Sequence, residues 1–212
     1  MAGVERVFNA RVKEYEEWFD QHPYVYATEV ELLRKLVPNN GRGIEIGVGT
    51  GRFAEPLGIE VGIDLSEEML ALAKKRGVET IRADAHHLPF KDESFDYALM
   101  MVTLCFVEDP EQAIKEAYRV LKKGGVLVVG IVDRESPLGQ VYQRKKENSP
   151  FYKYARFFSV DEVKNMLKHN GFGIQQVLQT LFVDDLRRVR EIDEIKEGYG
   201  QGGFVGIKAL KL

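Results

Sequence analysis

Residues 43–53, Gly-Ile-Glu-Ile-Gly-Val-Gly-Thr-Gly-Arg-Phe, constrain this chain more than any other stretch. A short apolar run leads into a turn carrying Gly47, Gly49 and Gly51. The run reads as a buried strand. The glycines let the backbone turn sharply and lie close to a ligand. Two isolated aspartates follow: Asp64 closes the run 58–63, and Asp84 closes the run 78–83. In an open parallel sheet, ligands bind just outside the carboxyl ends of the strands. A glycine turn and two acids at three successive strand ends describe one nucleoside-sized site.

The pattern around this core alternates strand and helix. Strands are expected near 43–48, 59–63, 78–82, 95–101, 125–132, 172–182 and 203–210, and core helices near 66–76 and 110–122. Asp109-Pro110-Glu111-Gln112 supplies a helix start, with Asp as cap and Pro in the first turn. Lys122-Lys123-Gly124-Gly125 reads as the matching stop. Such alternation implies a parallel sheet with helices on both faces. Only Arg52 to Leu57 separates the glycine turn from the next strand, so the first crossover helix is trimmed.

Outside the core, residues 4–37 read as helical with a break at His22-Pro23. Val4, Phe8, Val12, Tyr15 and Phe19 form one apolar stripe, and Tyr26, Val30, Leu33 and Val37 resume it. Residues 134–158 form an aromatic-rich insertion, and Ser159-Val160-Asp161-Glu162 is a capping box for a helix ending at Asn170-Gly171. The chain therefore reads as one domain over 1–212. Within it, 1–40 is a helical lid, 41–133 the ligand-binding core, 134–158 the insertion, and 159–212 the closing helix and strands.

Charge argues against a nucleic-acid partner. The net charge is −3, and the basic clusters Lys74-Lys75-Arg76 and Arg144-Lys145-Lys146 are short and adjoin acids. They read as solvated helix faces, and no nucleic-acid partner is expected. The run Tyr97–Val107 is too short to span a bilayer, so no membrane insertion is expected. The lone Cys105 and a charged stretch from Met1 to Asp20 fit a reducing cytoplasm. The histidines and the cysteine show no metal-ligand spacing.

These motifs resemble the class I S-adenosylmethionine-dependent methyltransferases. The family's acid-x-Gly-x-Gly-x-Gly is matched by Glu45, Gly47, Gly49 and Gly51, with Val48 inside it. The acid closing the second strand is matched by Asp64, and the acid after the third by Asp84 with Ala85. The resemblance continues through Leu88–Asp96 and Glu116–Gly125 and covers roughly residues 40–212. It implies a Rossmann-like, doubly wound, mostly parallel seven-stranded sheet with an antiparallel last strand. It also implies S-adenosylmethionine as cofactor and S-adenosylhomocysteine as product. Asp64 would accept from the ribose hydroxyls. Asp84 would accept from the adenine amine, with Leu65 and Met69 against the ring. The glycine turn and Glu45 would face the methionine end.

Thr103 and Leu104 would lie beside the methyl, and Tyr15, Trp18, Phe19 and Tyr26 would form an acceptor lid, as would Arg156 and Phe157. His86, His87 and His22 are the imidazoles near the expected site, and His86 is expected to contact the acceptor. Strand four runs into Met101-Val102-Thr103-Leu104 rather than an Asn-Pro-Pro-Tyr type signature. That points away from methylation of nucleobase or glutamine amino groups and toward small-molecule acceptors. Neither the acceptor nor the oligomeric state follows from the sequence.

Two other functions fit parts of the pattern. A cofactor-binding regulator without catalysis would carry the same binding motifs. A nicotinamide-dependent reductase would place its ribose acid about 20 residues past the glycines, whereas Asp64 follows Gly51 by 13 (64 − 51).

Overall fold

The computed structural model describes residues 2–212. Parallel strands β1 (Gly43–Ile46), β2 (Val61–Asp64), β3 (Glu79–Arg82), β4 (Phe95–Met101) and β5 (Leu121–Val132) lie in the order β3-β2-β1-β4-β5. β8 (Phe204–Lys211) runs antiparallel beside β5, and β6 (Phe172–Thr180) pairs antiparallel with β8. The sheet has eight strands rather than seven, because the two residues of β7 (Lys196–Glu197) add an edge to β6. The order reverses at β1, so β1 and β4 diverge at a switch point where ligands enter such sheets.

The strands alternate between two cores. Ile44, Ile46, Ala98 and Met100 face α6 (Pro110–Val120) and α8 (Val160–His169). Tyr97, Leu99 and Met101 face the opposite side, where α3 (Pro23–Leu36) and α5 (Glu67–Lys75) pack. This two-residue period fixes which face each strand residue meets. The trimmed crossover is α4 (Ala54–Leu57).

Two boundaries differ notably from expectation. The amino-terminal helical region breaks twice, giving α1 (Ala2–Ala10) and α2 (Val12–Gln21) before α3. α6 stops at Val120, and Leu121 is already extended at φ −77°, so Lys122–Gly124 begin β5 rather than end a helix. The insertion contains α7 (Pro137–Lys145), started by Ser136, whose Oγ accepts from Gly139 N. None of the described helices is long and apolar enough to cross a membrane.

The two later motifs bind each other. Leu88 N donates to Glu116 Oε2 at 2.7 Å, and Arg119 donates to the carbonyls of Leu88 and Phe90 at 2.9 and 2.7 Å. α6 therefore clamps the loop that follows Asp84.

Candidate active site

The glycine turn is shaped by positive backbone angles. Gly47 and Gly49 have φ of 78° and 52°. A Cβ on Gly47 would lie 2.5 Å from Thr103, and one on Gly49 would lie 3.3 Å from Tyr15 Oη. Backbone and phenol therefore approach each other only because glycine has no side chain. Gly47 N and Val48 N both donate to Ile63 O, which ties the turn to β2.

Asp64 spans the next junction. Its Oδ2 accepts from Gly49 N and its Oδ1 from Ser66 N, both at 2.9 Å. One carboxylate thus joins the glycine turn to the start of α5. Burial pushes this carboxyl up, while the N–H donors oppose the shift.

Asp84 lies two residues past β3. Its Oδ1 accepts from His86 N at 2.9 Å and lies 2.6 Å from His86 Nδ1. Asp109 N donates to His86 Nε2 at 3.0 Å. Since Nε2 accepts, the ring proton resides on Nδ1 and points at Asp84.

Val102, just past β4, has φ 52°, and Leu181 sits at φ 59°. Both line the same cavity. Such backbone strain costs about 1–3 kcal/mol per residue and concentrates at functional sites. Thr103, beside Val102, donates from Oγ1 to Ile46 O at 3.0 Å, linking β4 to β1 at the switch point.

These groups open onto one cavity of about 840 Å³. One half carries Gly47, Gly49, Asp64, Leu65, Met69, Asp84, Ala85 and Thr103. The other carries Tyr15 and Trp18 from α2, Glu29 from α3, and Tyr142, Phe151 and Tyr152 from the insertion. The volume falls within the range of about 300–1,000 Å³ usual for ligand pockets.

A methyltransferase-domain family model matches residues 44–129. An uncharacterized protein of Methanocaldococcus jannaschii is 49% identical over 97% of this chain and 99% of its own length. An uncharacterized protein of Mycobacterium tuberculosis is 37% identical over 92% of this chain and 70% of its own. A crystallised S-adenosylmethionine-dependent methyltransferase of Thermotoga maritima, described as a possible histamine N-methyltransferase, is 53% identical. It matches with a TM-score of 0.95 over 98% of this chain and 99% of that one. The chain belongs to the class I S-adenosylmethionine-dependent methyltransferases. Its cofactor is S-adenosylmethionine and its cofactor product S-adenosylhomocysteine. This match overturns the nicotinamide-dependent reductase alternative.

The groups around this cavity suit that cofactor. Glu45 is 1% exposed, and its Oε2 has no hydrogen-bond partner among the described residues. Burial pushes its carboxyl well above the usual range. An orphaned buried acceptor below a glycine turn suits a ligand that brings a positive amine. Glu45, Val48 and Gly51 lie beneath the cavity wall rather than on it. Val48 fills the space above Gly62, and a Cβ on Gly51 would lie 3.1 Å from Ala73 Cα.

Five expected acceptor residues lie off the wall. Tyr26 packs edge-on against Phe19 and Phe53 and donates to Arg52 O. His86 is 6% exposed with both ring nitrogens engaged, so it braces Asp84 against α6. Leu104 is 1% exposed in the core facing α6. Arg156 lies over the Phe158 ring at 4.9 Å. Phe157 packs behind Tyr142 and Tyr152, with ring centroids at 6.2 and 5.5 Å.

Two functional candidates were not singled out from sequence. Glu16 on α2 binds Thr50, Arg52 and Arg76, and so latches the amino-terminal helices onto the glycine turn. Glu29 interrupts the apolar positions Val25, Leu32, Leu33 and Leu36 of α3, all of them buried. An acid at helical spacing within a buried stripe was the available signal. α1 also reaches the half with the strand-end acids: Glu5 pairs with Arg82 at 2.9 Å, and Ser66 Oγ donates to Asn9 Oδ1. The amino-terminal helices therefore cover the strand-end acids as well as the aromatic wall.

Proposed function

We propose that this methyltransferase acts on a small-molecule acceptor held in the aromatic half of the cavity. The observation that carries this reading is the single cavity joining the strand-end acids to the tyrosines. When bound, the cofactor supplies an activated methyl group on a sulfonium that leaves as a neutral thioether.

In this reading, Asp64 accepts from the ribose hydroxyls. Asp84 accepts from the adenine amine, and Ala85 N donates to the ring. Leu65 and Met69 pack against the base. Gly47 and Gly49 admit the methionine end, and Glu45 offsets its amine. Tyr15 stands over Gly49, where the aromatic wall meets the glycine turn. Burial pushes its phenol far above the ordinary range, and the charges of Glu45 and Asp64 add to that. A neutral phenol at this boundary can donate a hydrogen bond without carrying charge. The aromatic wall excludes water and aligns the acceptor, which supplies much of the rate in such transfers. A reducing cytoplasmic setting fits a chain whose cysteine, Cys105, is free.

The test is incubation of the pure protein with methyl-labelled S-adenosylmethionine and a metabolite extract, followed by mass spectrometry. A labelled small molecule and stoichiometric S-adenosylhomocysteine are expected. Cofactor binding with no turnover across such extracts would favour the non-catalytic regulator.

A further inference from the structure

The acceptor half of the cavity holds one acid that nothing balances. Glu29 lies on the cavity wall and is 7% exposed. Its neighbour Thr28 is fully used: Oγ1 donates to Tyr24 O at 2.7 Å and accepts from Asp193 N at 2.9 Å. The Glu29 carboxyl, by contrast, feels burial alone. The two cations on the same wall are directed elsewhere. Arg187 Nη2 pairs with Asp185 Oδ2 at 2.6 Å, and the charge of Lys145 also acts on Asp185.

The ionisable groups that sense Glu29 are phenols. They come from α2 as Tyr15, from α7 as Tyr142, and from the segment after it as Tyr152. Burial raises all three, so they are neutral. Tyr142 and Tyr152 meet edge-on at 4.9 Å. Trp18 adds a further face to the wall, stacked on His22 at 4.8 Å. The His22 ring is itself held through Nδ1 at 2.9 Å from Trp18 O.

An unpaired buried carboxyl is costly, and so is a neutral acid with no acceptor. Aromatic faces attract cations, most strongly where water is excluded. A carboxylate set among aromatic rings satisfies one class of ligand best, a protonated nitrogen. A neutral acceptor would leave the carboxyl protonated and without a partner, and an anionic one would oppose its ionisation.

We propose that Glu29 is the anionic anchor of the acceptor subsite and selects a molecule bearing a basic nitrogen. This rests on the methyl-transfer reading and names the acceptor class within it. Burial pushes the free carboxyl up to about 8. At pH 7 it is therefore mostly protonated, and binding an ammonium group would expel that proton.

The test is calorimetry on the full chain saturated with S-adenosylhomocysteine, at pH 7, in two buffers of different ionisation enthalpy. The probes are histamine and phenethylamine, with 2-phenylethanol as the neutral match. The wild-type protein should bind at least one amine at least tenfold more tightly than the alcohol, about 1.4 kcal/mol. About one proton should be released per amine bound. Glu29→Gln should lose the preference and the proton release while binding S-adenosylhomocysteine as before. Amines binding no better than the alcohol, no proton release, or a Gln variant that keeps the preference would each overturn the proposal. If the variant does not fold, the wild-type amine-to-alcohol ratio and proton count decide. Wild type that binds S-adenosylhomocysteine but neither amine defeats this inference alone. Wild type that does not bind S-adenosylhomocysteine defeats both readings.

Discussion

Arg76 Nη2, at the carboxyl end of α5, lies 2.6 Å from Glu16 Oε2 on α2. Arg76 also donates to Thr50 O at 2.7 Å, inside the glycine turn. One guanidinium therefore joins an amino-terminal helix to the cofactor turn. Burial pushes Glu16 up, yet hydrogen bonds from Arg76, Thr50 and Arg52 outweigh it and hold the carboxyl below its ordinary value.

Arg76→Met should loosen that junction. Both charges are about one-fifth exposed, at 21% and 18%, so the loss should be moderate. We expect about 1–3 kcal/mol less stability, between the surface and buried limits for ion pairs. S-Adenosylhomocysteine affinity should fall as well. Because the Glu16 pKa is lowered on folding, its contribution is present above the unfolded value and fades as pH falls through the folded one. Urea melts at pH 7 and pH 4 check this, and an unchanged midpoint at pH 7 would show the latch to be inert.

Asp64→Ala removes the acceptor of Gly49 N and Ser66 N together with the expected ribose contact. Cofactor affinity should drop at least about tenfold. Stability should drop by about 1–3 kcal/mol, the cost of leaving buried donors unpaired. Calorimetry and thermal melts on the same sample separate the two effects. Normal binding would remove Asp64 from the ribose site.

Gly47→Ala places a methyl group 2.5 Å from Thr103 at φ 78°. Backbone strain of about 1–2 kcal/mol and overpacking of about 1–3 kcal/mol should combine. A stability loss of roughly 2 kcal/mol or more is expected, with cofactor binding lost. Denaturation within about 0.5 kcal/mol of wild type would contradict the close approach to Thr103.

His86→Gln tests the brace. The ring orients Asp84 and caps Asp109 N, and its nitrogens are already engaged. Cofactor affinity should weaken, while the pH dependence of turnover keeps its shape. A profile that loses a limb in the variant would make His86 a proton carrier after all.

Glu29 sets a pH trend of unusual sign. Its carboxyl is raised from 4.5 to about 8 by burial, so the folded state holds a proton that the unfolded state has released. Stability should therefore fall as pH rises from about 4.5 to about 8, then level off. Glu29→Gln should melt higher than wild type at pH 8 and near it at pH 4.5. Parallel melting curves across that range would show that the carboxyl is already compensated.

The cofactor half was readable in the amino-acid order because its geometry is local. Strand periodicity put Asp64 and Asp84 at the ends of their strands, and parallel pairing brought those ends together. The paired motifs Leu88–Asp96 and Glu116–Gly125 were visible too, although their mutual hydrogen bonds were not. The aromatic half of the cavity depended on long-range packing. On α3, successive residues point about 100° apart, so the choice between Tyr26 and Glu29 as the cavity-facing residue rests on how that helix docks. Glu29 reached the cavity, while Tyr26 turned to Phe53 and Arg52. In the insertion, α7 carried Tyr142 onto the wall, and Tyr152 joined it with Phe157 packed behind them. Aromatic composition marked that segment, but only tertiary packing, as where Phe151 meets Phe8 of α1 and Tyr15 of α2, decided which rings line the cavity. Local hydrogen bonding and periodicity act over a few residues; a helix's rotation on the sheet is set by contacts distant in sequence.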